Sequence, residues 1–245
     1  MISVYTIAYN EEFQLQFMID FYRIRFPNCH IVVYNNMSTD KTVEIALKNN
    51  CEVINYDTNN QICDSKYLEI KNNCWKSAKT DWVLICDVDE LLDINEEYLK
   101  YEESLNHTII DTIGYNMVNM EDNYDLENIK YGVKSLGYSK SYLFNKKFMK
   151  EINYQPGCHN SNPVGVISYS GDHEPYYNEN GGYSYNAYHM NFVNVDIAIE
   201  KYKSYAKRLS KENLDKGWGQ HYLFTEEQIR SEFNELRKKA IKVIK

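Results

Sequence analysis

The sequence feature that most constrains the fold is an apolar run that ends abruptly in carboxylates. Residues 82–86, Trp-Val-Leu-Ile-Cys, are followed directly by Asp87-Val88-Asp89-Glu90. Five mostly β-favouring residues without polar alternation predict a strand that is buried on both faces. Three carboxylates at its carboxyl end would repel one another unless a cation or a donor-rich ligand lies between them. The purely structural alternative is an acidic helix start, with Leu91-Leu92 as its buried face.

The first 93 residues alternate between strand and helix patterns. The strands are predicted over Ile2–Ala8, His30–Tyr34, Cys51–Tyr56 and Trp82–Cys86. Amphipathic helices are predicted between them, and the third of these covers Ser65–Lys79. This alternation with short links indicates a parallel sheet wound with helices. Ligands bind at the carboxyl ends of such strands, so the polar residues that follow each strand should converge at one edge.

Three motifs in this half resemble those of glycosyltransferases with the GT-A fold, particularly glycosyltransferase family 2. Residues 6–11, Thr-Ile-Ala-Tyr-Asn-Glu, resemble the opening strand and loop that hold the nucleotide base. Residues 34–42, Tyr-Asn-Asn-Met-Ser-Thr-Asp-Lys-Thr, resemble the family's DNGSTDGT loop, and Asp87-Val88-Asp89 resembles its DxD motif. The resemblance covers residues 1–93 and its motif order is specific. It implies an α/β fold of the GT-A (Rossmann-like) type, with a mostly parallel sheet flanked by helices.

The second motif departs from the family pattern at three positions. Asn35 replaces the usual Asp, but its side chain still accepts hydrogen bonds from uracil or ribose. Met37 and Lys41 replace Gly, so we expect the loop to need no positive φ at Met37. Ser38 or Thr39 is expected to cap the helix that follows, with Asp40 facing its positive end.

The chain is predicted to form one domain with a helical appendage. Residues 1–195 would form the GT-A-type catalytic domain, with a nucleotide-binding half (1–93) and an acceptor half (94–195). Residues 196–245 would form helices packed on the same domain. Their pattern predicts one helix over Asp196–Leu209 and a second that begins with a capping box of Thr225 and Gln228.

The resemblance implies a nucleotide site and a divalent cation. The nucleotide-binding candidates are Thr6, Ala8, Asn10, Glu11, Asn35, Asn36, Lys66 and Asp87. Asp87 would contact the ribose or a water of the metal site, and Asp89 would bind the cation directly. His189 lies where the family often completes that site, although a hydrogen-bonded core histidine is the alternative. Carboxylates suit Mn²⁺ or Mg²⁺, and an imidazole ligand favours Mn²⁺.

The implied activity is the metal-dependent transfer of a hexosyl group from a nucleotide sugar, by default UDP-linked, to a hydroxyl of a glycan or other acceptor. Lys140 and His159 are candidates for contact with the diphosphate or the acceptor. Inversion at the sugar carbon, which the resemblance also implies, requires a carboxylate as general base. Glu121 and Asp122 are the first candidates, because they follow a strand that leads out of the nucleotide half.

Asp172 and Glu174 are second candidates for the base, and a solvated loop carboxylate is the alternative for all four. Two other functions stay open. A phosphohydrolase of the haloacid dehalogenase type also has DxD after an apolar strand, but normally on the first strand and with Thr or Val where this chain has Leu91. A non-catalytic nucleotide- or sugar-binding module would use the same motifs without turnover.

Charge is distributed unevenly along the chain. The net charge is −8, yet residues 201–245 carry twelve Lys and Arg against six Asp and Glu. An acidic body argues against nucleic acid as a partner. The basic C-terminus could contact an anionic surface or a diphosphate, and a solvated helix face is the simpler explanation.

Targeting signals and cysteine pairs are not indicated. The six cysteines show no CxxC spacing and Cys86 lies in the apolar strand, which is typical of reduced core thiols. No run approaches the ~20 apolar residues of a membrane span, and Met1 leads straight into a strand pattern. We therefore expect no transmembrane segment and a cytoplasmic location.

Overall fold

A computed structural model describes residues 1–121, 125–172 and 181–244. The strands are β1 (Ile2–Ala8), β2 (His30–Asn35), β3 (Glu52–Asn55), β4 (Trp82–Ile85), β5 (Glu90–Leu92), β6 (Thr112–Val118), β7 (Tyr131–Lys134), β8 (Leu143–Asn145), β9 (Met149–Glu151), β10 (Val164–Gly165), β11 (Tyr185–Phe192) and β12 (Ile241–Lys242). The helices are α1 (Leu15–Arg25), α2 (Thr42–Lys48), α3 (Asp64–Asn73), α4 (Glu96–Ser104), α5 (Val195–Ala206), α6 (Lys211–Lys216) and α7 (Glu226–Lys239).

The first sheet has the strand order β3-β2-β1-β4-β8. Its first four strands are parallel, and β8 is antiparallel to β4. Alternate residues of β4 enter different cores: Trp82 and Leu84 pack with α1, whereas Val83 and Ile85 pack with Trp75 on the other face. The prediction of a strand buried on both faces is confirmed. So is the α/β fold with a mostly parallel sheet flanked by helices.

The residues after the acidic turn form a strand of a second sheet and do not start a helix. This sheet has the order β12-β7-β6-β11-β5. Strand β11 runs antiparallel to β5 and parallel to β6, so that His189 lies opposite Glu90 on one side and Asn116 on the other. The pairing of β11 with β5 therefore brings a distant histidine to the end of β4.

The C-terminal helices pack against this second sheet. Apolar residues of α5 and α7 cluster with Val118 of β6 and Phe192 of β11. The capping box of Thr225 and Gln228 at the start of α7 is confirmed. The segment after α5 also joins the nucleotide half, because the main-chain N–H of Ile62 donates to the Arg208 carbonyl. No helix in the described ranges is long and apolar enough to cross a membrane, and the six cysteines are free thiols.

The loop between β2 and α2 turns through a left-handed residue. Met37 has φ of 54°, so the expectation that this position needs no positive φ is wrong. The turn allows the Ser38 N–H to donate to Asn35 Oδ1 at 3.0 Å, which closes the loop on its own first residue. The Met37 side chain is 54% exposed, so it meets no crowding there.

The cap of α2 also differs from the expectation. Ser38 Oγ accepts the main-chain N–H of Asn10 at 3.0 Å, so this hydroxyl ties two loops together and does not cap the helix. Asp40 Oδ1 accepts the N–H of Thr42 at 2.9 Å, at the first residue of α2. The Asp40 carboxylate therefore accepts a hydrogen bond at the start of the helix, as expected. The Ser38 hydroxyl instead joins the loops that follow β1 and β2.

Gly114 allows β6 to approach the 3₁₀ turn Leu136–Tyr138. A Cβ at this position would collide with the main-chain carbonyl carbon of Tyr138. We expect Gly114→Ala to lower the free energy of unfolding by about 1–3 kcal/mol, because backbone has to move. Gly137→Ala is the matched control in the same turn, since its Cβ would have its nearest neighbour at 3.6 Å. Urea denaturation measures both, and equal midpoints for the two variants would contradict this packing.

Candidate active site

A cavity of about 510 Å³ opens at the carboxyl ends of β1 and β4. This volume lies within the range of small-molecule sites. Its walls come from the strand ends, from the segments around β6 to β8 and from the C-terminal helices. Its polar and aromatic lining includes Tyr9, Glu11, Asp64, Tyr67, Lys71, Asp87, Asp89, Glu90, Asn116, Tyr138, Lys140, His159, His189, Asn191, Lys201, Tyr202, Tyr205, Arg208, Trp218, His221, Tyr222 and Glu232.

The carboxylates of Asp87, Asp89 and Glu90, which we call the acidic tip, each contact a lysine from a different segment. The pairs are Lys71 with Asp87, Lys201 with Asp89 and Lys140 with Glu90. The Nζ–Oδ distances are 2.6 Å for the Asp87 pair and 2.9 Å for the Asp89 pair. Three cations therefore compensate three adjacent anions, of which Asp89 and Glu90 are buried and need this compensation.

The ion pairs set the protonation of the first two carboxylates. Burial by itself would raise the pKa of Asp89, but the Lys201 ammonium holds it below its ordinary value. Burial likewise opposes ionisation of Asp87, and Lys71 outweighs it, so that this pKa is also lowered. Burial by itself would lower the pKa of Lys71 and of Lys201, but the neighbouring carboxylates outweigh it and raise both pKa values well above the ordinary one. Both pairs are therefore ionised at neutral pH.

Glu90 lies deeper and is held by the surrounding structure. Lys140 donates to its Oε1 and also to the Gly157 carbonyl, the latter at 2.9 Å. Burial raises the pKa of Glu90 although Lys140 opposes the shift. The Glu90 carbonyl accepts from Tyr22 Oη at 3.1 Å, which fastens β5 to α1. These contacts fix the position of Glu90 next to the two aspartates.

His189 is a neutral imidazole whose Nε2 faces the acidic tip. Its Nδ1 lies 3.1 Å from Asn116 Oδ1, and a proton on Nδ1 makes this contact a hydrogen bond and leaves the Nε2 lone pair free. The ring stacks on Tyr138 with centroids 3.8 Å apart. Burial lowers the pKa of His189 to about 3. Nε2 lies 3.8 Å from Asp89 Oδ2.

Asp89 and His189 together fit a divalent cation in part. A carboxylate oxygen and a neutral imidazole nitrogen are both ligands of Mn²⁺. Within the described ranges, no three side chains of His, Cys, Asp or Glu converge to hold a metal ion. The donor set therefore suits a cation whose remaining ligands come from a bound molecule and from water.

Glu11 borders the same cavity next to Lys201. Burial raises its pKa to about 7, against the opposing effect of Lys201. Its Oε1 lies 3.6 Å from Lys201 Nζ and accepts from Tyr205 Oη at 3.2 Å. The end of β1 is thus linked directly to α5.

Of the eight residues predicted to bind the nucleotide, Glu11 and Asp87 line the cavity. Thr6 and Ala8 are buried within β1, and Asn35 and Asn36 are buried at the end of β2. The Asn36 N–H donates to the Ala8 carbonyl at 2.9 Å, and the Asn35 side chain donates to Asn55 Oδ1 at 2.7 Å. These four residues stabilise the ends of β1 and β2, and none of them lines the cavity.

The other two nucleotide candidates lie elsewhere. Asn10 lines an adjoining cavity of about 470 Å³, which shares Glu11 and Lys201 with the first. Lys66 is on the outer face of α3, where its Nζ pairs with Glu69 at 2.9 Å. Lys140 and His159, predicted for the diphosphate or the acceptor, both line the large cavity.

Neither of the two candidate general bases that the structure describes, Glu121 and Asp172, lines this cavity. Glu121 is exposed and its carbonyl accepts from Arg237, away from the lining. Asp122 and Glu174 lie outside the described residues. Asp172 is exposed and is not a lining residue.

Sequence reasoning missed the lysines that pair with the aspartates. Lys71 follows Tyr67 by four residues on α3, and Lys201 lies four residues from both Ile197 and Tyr205 on α5. At these spacings a residue shares a helix face with apolar neighbours, so a lysine there is a signal of a buried ion pair. The basic C-terminus thus contributes Lys201 to the cavity and does not serve only as a solvated face.

Comparisons with known proteins agree with these motifs. A family model described as Glycosyl transferase family 2 matches residues 3–159, more than half of the chain. A search of curated proteins found no match.

Three solved structures illustrate the similarity. S. aureus TarS 1-349 in complex with UDP-GlcNAc is 18% identical with a TM-score of 0.41, covering 95% of this chain and 71% of that one. Mannosyltransferase PcManGT from Pyrobaculum calidifontis, with GDP-Man and Mn²⁺, is 15% identical with a TM-score of 0.36, covering 46% and 35%. Glucosyl-3-phosphoglycerate synthase from Mycobacterium tuberculosis, with Mn²⁺, UDP and glucosyl-3-phosphoglycerate, is 16% identical with a TM-score of 0.34, covering 46% and 44%. The chain spans 62% of TarS 1-349 in another structure of that protein.

The neutral state of His189 makes stability depend on pH. Its pKa is about 3 when folded and 6.5 for an ordinary histidine, so between these values the unfolded chain binds more protons and stability falls as the pH decreases. Between pH 7 and pH 5 we expect the free energy of unfolding of the wild type to fall by about 2 kcal/mol more than that of His189→Gln. Urea unfolding of both proteins at both pH values measures this difference, and the contribution of Glu11 cancels because both proteins contain it. A difference that does not change with pH would contradict a buried neutral histidine.

Proposed function

The chain belongs to glycosyl transferase family 2, and we propose that it transfers a sugar from a nucleoside diphosphate sugar, by preference a UDP-sugar, to a hydroxyl of a glycan or other acceptor. The observation that carries the proposal is the convergence of the acidic tip, His189 and three lysines on one cavity. UDP is the default nucleotide that the motif resemblance at residues 6–11 and 34–42 implies. The cavity offers both signs of charge, as a diphosphate with a cation requires.

We place the diphosphate of the donor at the acidic tip. Lys71 and Lys201 each present an ammonium beside an aspartate, so an arriving phosphate finds cations already fixed in place. A divalent cation, preferably Mn²⁺ because imidazole is a ligand, would be held by Asp89 and His189 and would act as a Lewis acid on the leaving diphosphate. Asn116 keeps the His189 lone pair directed into the cavity.

We place the nucleoside against the end of β1. Tyr9 and Tyr67 line the cavity there, and the Arg208 guanidinium lies 3.2 Å over the Tyr9 ring. Flat rings beside a guanidinium suit the stacking of a base. In this arrangement Asn35 and Asn36 act by positioning the loops and not by touching the base.

The transfer requires a base that takes the proton of the acceptor hydroxyl. Asp122 keeps the role predicted from the sequence, and Glu121 keeps it as the adjacent alternative. Glu232 of α7 joins them, because it is a carboxylate of the cavity lining and burial raises its pKa. Each would accept the proton as the bond from the acceptor oxygen to the sugar carbon forms and the bond to the diphosphate breaks.

The phosphohydrolase alternative is not retained. The family model that matches residues 3–159 is that of Glycosyl transferase family 2. The motif also follows the fourth strand of the sheet and not the first.

Release of UDP from UDP-sugars in the presence of Mn²⁺ and hydroxyl acceptors tests the proposal. We expect Asp89→Asn to lower kcat/KM on the order of 10²–10³-fold, because charge on the leaving group is no longer compensated. Asp81→Asn is the matched control: Asp81 precedes β4 at its opposite end and pairs with Lys147 at the surface. Wild-type protein that releases no nucleotide from any donor tested, or an Asp89→Asn variant as active as the wild type, would refute the proposal.

A further inference from the structure

Lys201 contacts the same Asp89 oxygen that a divalent cation placed between Asp89 and His189 would use. Lys201 Nζ lies 2.9 Å from Asp89 Oδ2, and this is the oxygen that lies 3.8 Å from His189 Nε2. A small divalent cation bonds its ligands at about 2.0–2.6 Å, so a separation of 3.8 Å admits a cation between these two atoms. An ammonium that stays bonded to Oδ2 would then lie against a doubly charged ion. The two cations therefore repel each other and compete for this oxygen.

We propose that Lys201 holds Asp89 while the donor is absent and releases it to a divalent cation when the diphosphate of the donor takes over the ammonium. Lys201 is then a positioning residue that couples cation binding to donor binding. The inference rests on the function proposed above and adds the order in which its components assemble.

The surroundings of Lys201 leave the displaced ammonium few other partners. Its side chain is 20% exposed, and besides Asp89 it faces the Glu11 carboxylate, whose Oε1 lies 3.6 Å from Nζ. The ring of Tyr205 lies 5.7 Å from Nζ. Displaced from Asp89, the ammonium would exchange a contact of 2.9 Å for the more distant Glu11 carboxylate, so the cation alone does not readily displace it.

The diphosphate meets both requirements at once. It supplies the oxygen ligands that Asp89 and His189 do not provide to a cation, which needs more than two. It also brings negative charge to which the Lys201 ammonium can turn. Lys71 and Lys140 differ from Lys201 in this respect, because their partners are Asp87 and Glu90, and the oxygen that faces His189 belongs to neither.

Lys201→Met tests the proposal, because it keeps most of the side-chain length and removes the charge. We expect this variant to bind MnCl₂ in the absence of nucleotide about 10-fold more tightly than the wild type, within the usual range of coupling between two sites. We expect UDP, titrated at saturating Mn²⁺, to bind more weakly to the variant. The electron paramagnetic resonance signal of free Mn²⁺ measures the first affinity, and calorimetry measures the second. Two changes of opposite sign are not produced by simple damage to the site.

Two control variants isolate the charge of Lys201. Lys201→Arg keeps a cation at this position and should retain the weak Mn²⁺ binding of the wild type. Lys203→Met lies on the same helix, where Lys203 pairs with Glu200 and Glu226 at the surface, and should change neither affinity. Circular dichroism melting checks the fold of each variant, and Lys201→Gln provides a second neutral side chain if the methionine variant does not fold.

The outcomes separate this inference from the proposed function. If Mn²⁺ and UDP bind together to the wild type but neutral variants gain no Mn²⁺ affinity without UDP, the role of Lys201 is refuted and the proposed function stands. If neither the wild type nor any variant binds Mn²⁺, with or without UDP, both this inference and the proposed function are refuted. If Mn²⁺ affinity and UDP affinity decrease together in the neutral variants, Lys201 only supports the site and the exchange is refuted.

Discussion

Compensation of the buried carboxylates at the end of β4 is the constraint on which the rest of the site depends. Carboxylates removed from water are costly unless cations lie beside them. The acidic tip obtains its partners from three separate segments: Lys71 from α3, Lys140 from the segment before β8 and Lys201 from α5. These segments must converge before the end of β4 can be buried. The charges of three neighbouring carboxylates thus constrain the packing of distant elements.

The same requirement explains how the two sheets share one site. The first sheet delivers Glu11 and the acidic tip at the carboxyl ends of β1 and β4, as parallel sheets do. The second sheet delivers His189, because β5 continues the chain directly from the tip and pairs with β11. The residues after 195, expected to form an appendage, supply Lys201 to the cavity. We infer that the proposed transfer requires both parts of the chain.

The features that depend on residues close together in the chain could be predicted from the sequence. The strand Trp82–Ile85, its acidic end and the order of the strand–helix units follow from residue type and spacing. The left-handed Met37 could not be predicted, because its conformation depends on a hydrogen bond between Ser38 and Asn35 and on the link from Ser38 to a different loop. Pairing of β11 with β5 is equally non-local. The lysines of α3 and α5 were detectable as charges at apolar helical spacings, but their partners were not.

The central claim is that Asp89 and His189 hold a divalent cation together with the diphosphate of the donor. Pulsed electron paramagnetic resonance of Mn²⁺ in the presence of UDP detects a directly bonded imidazole nitrogen through its ¹⁴N modulation. The account predicts this modulation in the wild type and its loss in His189→Gln. A spectrum without nitrogen modulation, recorded while calorimetry shows Mn²⁺ and UDP bound to the wild type, would contradict it.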